Sequence, residues 1–224
     1  MNDQIHLDVV ESGSGMPMVF THGWTDTKQA WEQTIAALGE SAHCFAWDLR
    51  GHGGSEVPPA GQYTREDALA DLHRVVAKAG ESVVLVGHSL GGYLSLAYTL
   101  LHPEWVAGLV LVGAGPGFRN PETREQWNDN VDVSAAKFAV PKGSEMIAKH
   151  VDSWVIDNLG EITAPSLVIV GEHDKRFAAS AAVFEKYLDV QASVVIPDAG
   201  HSVHRKHGNA IASEISKIWC QTCP

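Results

Sequence analysis

Cysteine is scarce in this chain: there are three in 224 residues. Cys44 sits in an apolar run and reads as a small buried hydrophobe. Cys220 and Cys223 have C-x-x-C spacing, but no second pair accompanies them, which argues against a metal knuckle or a redox motif. A disulfide framework is excluded. Basic residues are also few, 16 against 27 acidic ones, for a formal charge of −11. Without basic patches a polyanionic partner is disfavoured, so a small-molecule substrate is expected rather than nucleic acid. No apolar run approaches the ~20 residues needed to cross a bilayer, which leaves no membrane role. The opening MNDQIHLDVV lacks the basic and hydrophobic regions of a signal peptide, making the cytoplasm the expected location.

What is present is an ordinary globular composition, 45% hydrophobic and 19% charged. The length suits one core, hence one domain over 1–224. Short apolar runs at 5–10, 18–20, 43–47, 83–87, 109–113, 166–171 and 193–197 read as strands. Helical patterns ending near Gly or Pro lie between them. Such alternation predicts an α/β fold, a mostly parallel sheet flanked by helices. The rhythm breaks at 117–161, where Phe118, Trp127, Phe138, Met146 and Trp154 stand among charges. A structureless loop of that length is unusual, so two or three helices forming a short lid are expected there, with the core at 1–116 and 162–224.

Gly87, Ser89 and Gly91 fit G-x-S-x-G, with VVLVG before them and a helical pattern after. A nucleophile on a sharp strand-to-helix turn requires small neighbours two positions away on each side. The alternative is a glycine-rich junction with an incidental serine. A serine hydroxyl also needs a base. His201 follows the last strand in SVVIPDAGHSVH, at the sheet edge where Ser89 lies. His204 and His207 follow at three-residue steps. With no carboxylate or cysteine beside them in sequence, no metal site is assigned. His204 is expected to support the loop or line the pocket, and His207 to be solvated at a helix start.

The base needs an acid to hold its tautomer. SLVIVGEHDKRF supplies Glu172 and Asp174, whereas the loop after LVLVG has no acid. Asp174 is favoured, with Glu172 facing away or binding backbone. For the oxyanion, the backbone N–H groups of Leu90 and of Trp24, in the HGW after an early strand, are the candidate donors.

These motifs, HGW at 22–24, DLRGHGGS at 48–55, GHSLGG at 87–92, GEHD at 171–174 and AGHSVH at 199–204, resemble in content and order an α/β-hydrolase of the lidded esterase, peroxidase and C–C hydrolase branch. The resemblance covers nearly the whole chain. It implies Ser89 as nucleophile, His201 as base, Asp174 as its partner, and no cofactor. It further implies that Asp48, Arg50 and Ser55 tie down the loop beside the site. The serine separates the chain from the family's dehalogenases and epoxide hydrolases, whose nucleophile is aspartate.

GPGFRNPETRE and the GEHD and AGHSVH regions also resemble the menaquinone-pathway synthase of this fold, a lyase using the same triad. There GYSLGGR is expected around the serine. Here His88 and Tyr93 replace its tyrosine and arginine, which weakens the case for a carboxylate-rich substrate unless Arg119 or Arg124 compensates. The expected activity is hydrolysis of small carboxylic esters or lactones, with C–C bond hydrolysis or a synthase-type elimination as alternatives. Trp24, His88, Phe118, Trp127 and Trp154 are candidate substrate contacts, although the lid aromatics could equally fasten the lid to the core. Oligomeric state is not legible.

Overall fold

The computed structural model describes residues 5–80, 82–138 and 140–220; Cys223, and with it the C-x-x-C pair, lies outside them. Seven strands form one sheet: β1 Val9–Ser12, β2 Met16–Thr21, β3 Ala42–Trp47, β4 Val83–His88, β5 Val106–Val112, β6 Ser166–Gly171 and β7 Val190–Ile196. Their order is β1-β3-β2-β4-β5-β6-β7, and every pairing is parallel except β1 with β3. The helices are α1 Glu32–Leu38, α2 Arg65–Ala79, α3 Leu90–Leu101, α4 Pro121–Phe138, α5 Trp154–Asp157, α6 Ala178–Tyr187, α7 Val203–Lys206 and α8 Gly208–Trp219.

The near-continuous apolar strands are explained by burial on both faces. Val19, Leu85, Leu109 and Leu111 pack with Leu72 and Val76 of α2, Leu94 and Tyr98 of α3 and Phe184 of α6. The alternate residues Phe20, Val84, Val86, Val110 and Ile169 meet Leu38 of α1 and Ile211 and Ile215 of α8 on the other side. Cys44 belongs to this second layer, and burial pushes its thiol up to about 12. A capping box fixes the start of α2, with Thr64 and Asp67 bonding each other's backbone N–H.

The first strand begins later than its apolar run predicts. Before Val9 the chain turns mainly to a loop, although the Asp8 carbonyl still accepts from Asp48 N–H just past β3. His6 exchanges backbone hydrogen bonds with the side chain and main chain of Glu56, and Asp8 N–H donates to Ser55 Oγ at 2.9 Å. Between β5 and β6, segment 117–161 holds α4, α5 and two 3-10 turns, Ser144–Ala148 and Leu159–Glu161. Trp127 Nε1 donates to the Ala148 carbonyl within the segment, and Arg65 of α2 grips both oxygens of Asp152, which fastens the segment to the core. Among the described residues, no helix is long and apolar enough to cross a membrane.

Strand order reverses between β2 and β4. Connections leave that point in opposite directions along the sheet, opening a crevice at the strands' carboxyl ends. The HGW loop follows β2, and Ser89 follows β4.

Candidate active site

Ser89 has φ 51° and ψ −112°, a left-handed conformation that a side chain normally avoids. The turn is held from several sides. Ser89 N–H donates to the Val112 carbonyl at the end of β5, and the Ser89 carbonyl accepts from Tyr93 N–H. Gly91 lies so close to the end of β2 that an added Cβ would come within 2.2 Å of the Thr21 carbonyl oxygen. At Gly23, a Cβ would sit 2.6 Å from His88 Nδ1 and 3.3 Å from Ser89 Cβ. The glycines therefore allow the HGW turn to lie directly against the serine.

Leu90 is the first residue of α3, so its N–H has no intrahelical acceptor and belongs to the positive end of the helix dipole. Trp24 lies within a turn closed by Asp26 N–H donating to the Gly23 carbonyl, with Thr25 at φ 62°. His22 anchors that turn. Its Nε2 accepts from Leu49 N–H at 3.0 Å, so the proton sits on Nδ1, which donates to the Gly23 carbonyl at 2.7 Å. Asp48, Arg50 and Ser55 brace the neighbouring loop. Asp48 accepts from Lys28 Nζ, Lys28 N–H and Gly54 N–H; Ser55 Oγ donates to the Asp48 carbonyl; and Arg50 binds Asp71.

The loops after β6 and β7 bring the acid and the imidazole together. Asp174 is 4% exposed, and His201 Nδ1 lies 2.8 Å from its Oδ2. Gly113, at φ 52° beyond β5, is the floor beneath this pair: a Cβ there would meet Asp174 Oδ2 and His201 Nδ1, both at 3.3 Å. Phe177 stacks on the His201 ring at 4.7 Å. Glu172 is exposed and turns away, accepting from the Asp198 backbone N–H.

An aromatic wall runs outward from His201. Phe177 meets Trp127, Trp127 meets Phe118, and His150 contacts Trp127, Phe118 and Tyr93. Phe118 and Trp127 thus belong to this ring cluster beside His201, whereas two other candidate contacts lie elsewhere. His88 does not line the pocket: it is 4% exposed, and its Nε2 donates to the His201 carbonyl at 2.9 Å. Strand alternation puts it on the same face as Val84 and Val86, behind the turn. Trp154 stacks over Arg65 outside this wall of rings, because α5 packs back toward α2 and α3. Tyr93, His150 and Phe177 were missed as wall residues. The cue for Phe177 was its place three residues after Asp174; His150 carried no sequence signal.

His204 does have a carboxylate neighbour, Asp26, which is 178 residues away in sequence and 3.0 Å from its Nε2. Burial and the charge of neighbouring Arg65 push His150 down to about 4, and burial with neighbouring His52 does the same for His22. Burial also lowers His88, His52 and His204. Asp26 is held below the usual carboxylate range by its bonds to His204 and Arg205. The unfolded chain takes up protons near 6.5 that the folded chain refuses, so folding stability falls as pH drops from about 6.5 toward 4. His22 and His150 should each account for about 2–3 kcal/mol of that loss. Denaturant melts at pH 7 and pH 4.5 will measure it; equal midpoints would contradict the buried neutral imidazoles.

The alpha/beta hydrolase fold family model matches residues 16–152, more than half of the chain. The protein belongs to the α/β-hydrolase family. Relatives within this family differ in chemistry. The chain is 31% identical to a 2-hydroxymuconate semialdehyde hydrolase of Pseudomonas sp. (strain CF600), over 84% of this chain and 67% of that protein. It is 28% identical to a 2-succinyl-6-hydroxy-2,4-cyclohexadiene-1-carboxylate synthase of Enterobacter sp. (strain 638), over 91% and 92%. A solved esterase from Thermogutta terrifontis superposes with TM-score 0.75 at 24% identity, covering 95% and 92%, which establishes the shared fold.

Proposed function

We propose that this α/β-hydrolase is a serine hydrolase of small carboxylic esters or lactones. The observation that carries the reading is the strained Ser89, held against the HGW turn at the sheet edge that also bears the Asp174–His201 pair. Asp174 accepts the Nδ1 proton of His201, which leaves Nε2 as the basic nitrogen. In the proposed reaction Ser89 Oγ attacks the carbonyl carbon while its proton passes to His201 Nε2. The Leu90 and Trp24 amides hold the oxyanion. The leaving alcohol takes the proton from His201, and an acyl-enzyme remains. Water, deprotonated by His201, then releases the acid and restores Ser89. In a lactone the alcohol and acid stay on one molecule. No cofactor enters this sequence.

Segment 117–161 would act as the lid, and its aromatic wall as the pocket side. Two of the nearby cations are already paired, Arg65 beside Tyr93 with Asp152 and Arg119 with Asp157, whereas Arg124, which reaches the Phe118 carbonyl, and Arg176, over the Trp127 ring at 5.6 Å, keep positive charge near the wall. The second reading, C–C hydrolysis or synthase-type elimination, is favoured by the activities for which the Pseudomonas and Enterobacter relatives are named.

A nitrophenyl phosphonate combined with a substrate panel separates these readings. Ester or lactone hydrolysis predicts a mass gain on the Ser89 peptide, with short esters or lactones turned over fastest. Phosphonylation at Ser89 with turnover confined to a vinylogous diketone or a cyclohexadiene carboxylate would replace the ester reading with the second one. A protein that gains no mass at Ser89 would refute both.

A further inference from the structure

Behind the Ser89 turn lies a second group of imidazoles that the proposed proton transfers leave unused. His88 Nε2 is 2.9 Å from the His201 carbonyl oxygen, and because a carbonyl only accepts, Nε2 carries the proton. The face of the His88 ring stacks on His204, with centroids 3.7 Å apart and planes 25° apart. His204 Nε2 in turn lies 3.0 Å from Asp26 Oδ2. Asp26 closes the turn that contains Trp24 and is clamped by Arg205. The path thus joins the HGW turn, the residue before Ser89 and the main chain of His201. Both rings are buried, and burial keeps them neutral near pH 7, so they stack without charge repulsion.

Asp26, His88 and His204 also offer ligand atoms within 4.8 Å of one another. A metal there would have to displace bonds already formed, because His88 Nε2 is committed to the His201 carbonyl and Asp26 to His204 and Arg205. His88 Nδ1 faces Gly23, where an added Cβ would come within 2.6 Å of it.

We infer that His88 and His204, anchored by Asp26, are positioning residues: they fix the His201 main chain and so the placement of its imidazole relative to Ser89. The inference rests on the triad reading. A displacement of about 1 Å in such a group costs on the order of 100-fold in rate, so the hydrogen bond to the His201 carbonyl is the point of control.

The test compares His88→Ala with His88→Gln in the full chain, with folding verified by circular dichroism. The glutamine amide N–H reaches about as far as Nε2 and can donate to the same carbonyl. His88→Ala is expected to lower both kcat on a nitrophenyl ester and the rate of Ser89 phosphonylation by about 10- to 100-fold, with KM within about twofold. His88→Gln is expected to recover to within about threefold of the parent. In proton NMR, the low-field resonance of His201 Nδ1–H, bonded to Asp174, should shift or broaden in His88→Ala and return in His88→Gln. A folded His88→Ala with the parent's phosphonylation rate, or a glutamine no better than alanine, would overturn the inference.

Should His88→Ala not fold, His204→Gln carries the test. It keeps the bond to Asp26 but removes the stacked ring, and is expected to slow phosphonylation by about 3- to 10-fold; an unchanged rate overturns the proposal. If the parent takes no phosphonate, the hydrolase reading fails separately, and an unaltered His201 resonance in the variants then decides against positioning.

Discussion

Replacing Ser89 with alanine is expected to lower kcat/KM on a nitrophenyl ester by on the order of 10⁴–10⁶ while leaving the unfolding midpoint nearly unchanged. The two halves of that expectation have different origins. The turn is held by backbone contacts, Ser89 N–H to Val112 and the Ser89 carbonyl to Tyr93, which alanine keeps. Strain at φ 51° is a property of any side chain with a Cβ, so alanine neither adds to it nor relieves it. Only the hydroxyl is lost, and with it the atom that would form the acyl bond. Steady-state kinetics and a thermal melt on the same preparation check both halves. Activity within tenfold of the parent would contradict the assignment, and a large drop in midpoint would mean that the hydroxyl has a structural partner.

The second large effect is expected at Asp174. Asp174→Asn should reduce kcat by on the order of 10⁴, and Glu172→Gln by no more than about threefold. Both acids follow β6, two positions apart, and their surroundings are opposite. Asp174 is buried and accepts from His201 Nδ1 at 2.8 Å. An asparagine amide can turn an N–H toward Nδ1, which favours the tautomer with the proton on Nε2 and removes the basic lone pair that Ser89 requires. Glu172 is exposed and bonds the Asp198 backbone at 2.9 Å, a contact that glutamine's carbonyl oxygen preserves. Equal losses in the two variants would mean that the acid has been assigned to the wrong residue.

Much of the fold was legible because local chemistry and tertiary structure agree. The helical pattern between the runs at 43–47 and 83–87 became α2 with a capping box at Thr64, and the apolar run at 166–171 became β6. The first strand was read too early because its apolar alternation looks the same whether residues pair in a ladder or bind a loop; Glu56 and Ser55, some 50 positions away, decided that. His88 was read as a pocket residue from its place beside Ser89. Adjacent residues on a strand face opposite ways, and His88 follows the side of Val84 and Val86. His204 looked as though it lacked an acidic neighbour because Asp26 is close only after β2 and β7 take their places in one sheet.

By itself the sequence determined the alternation of strands and helices, the glycines that allow a serine at φ 51°, and the chemistry available just past each strand. These are local properties, set by side-chain size, periodicity and backbone freedom. Tertiary structure decided which of those groups meet. It paired His201 with Asp174 above Gly113, turned Glu172 outward, gave His204 to Asp26 and hid His88 behind the turn. Such pairings depend on strand order and on the direction each side chain faces once the sheet has formed, and neither is encoded within any single stretch of the chain.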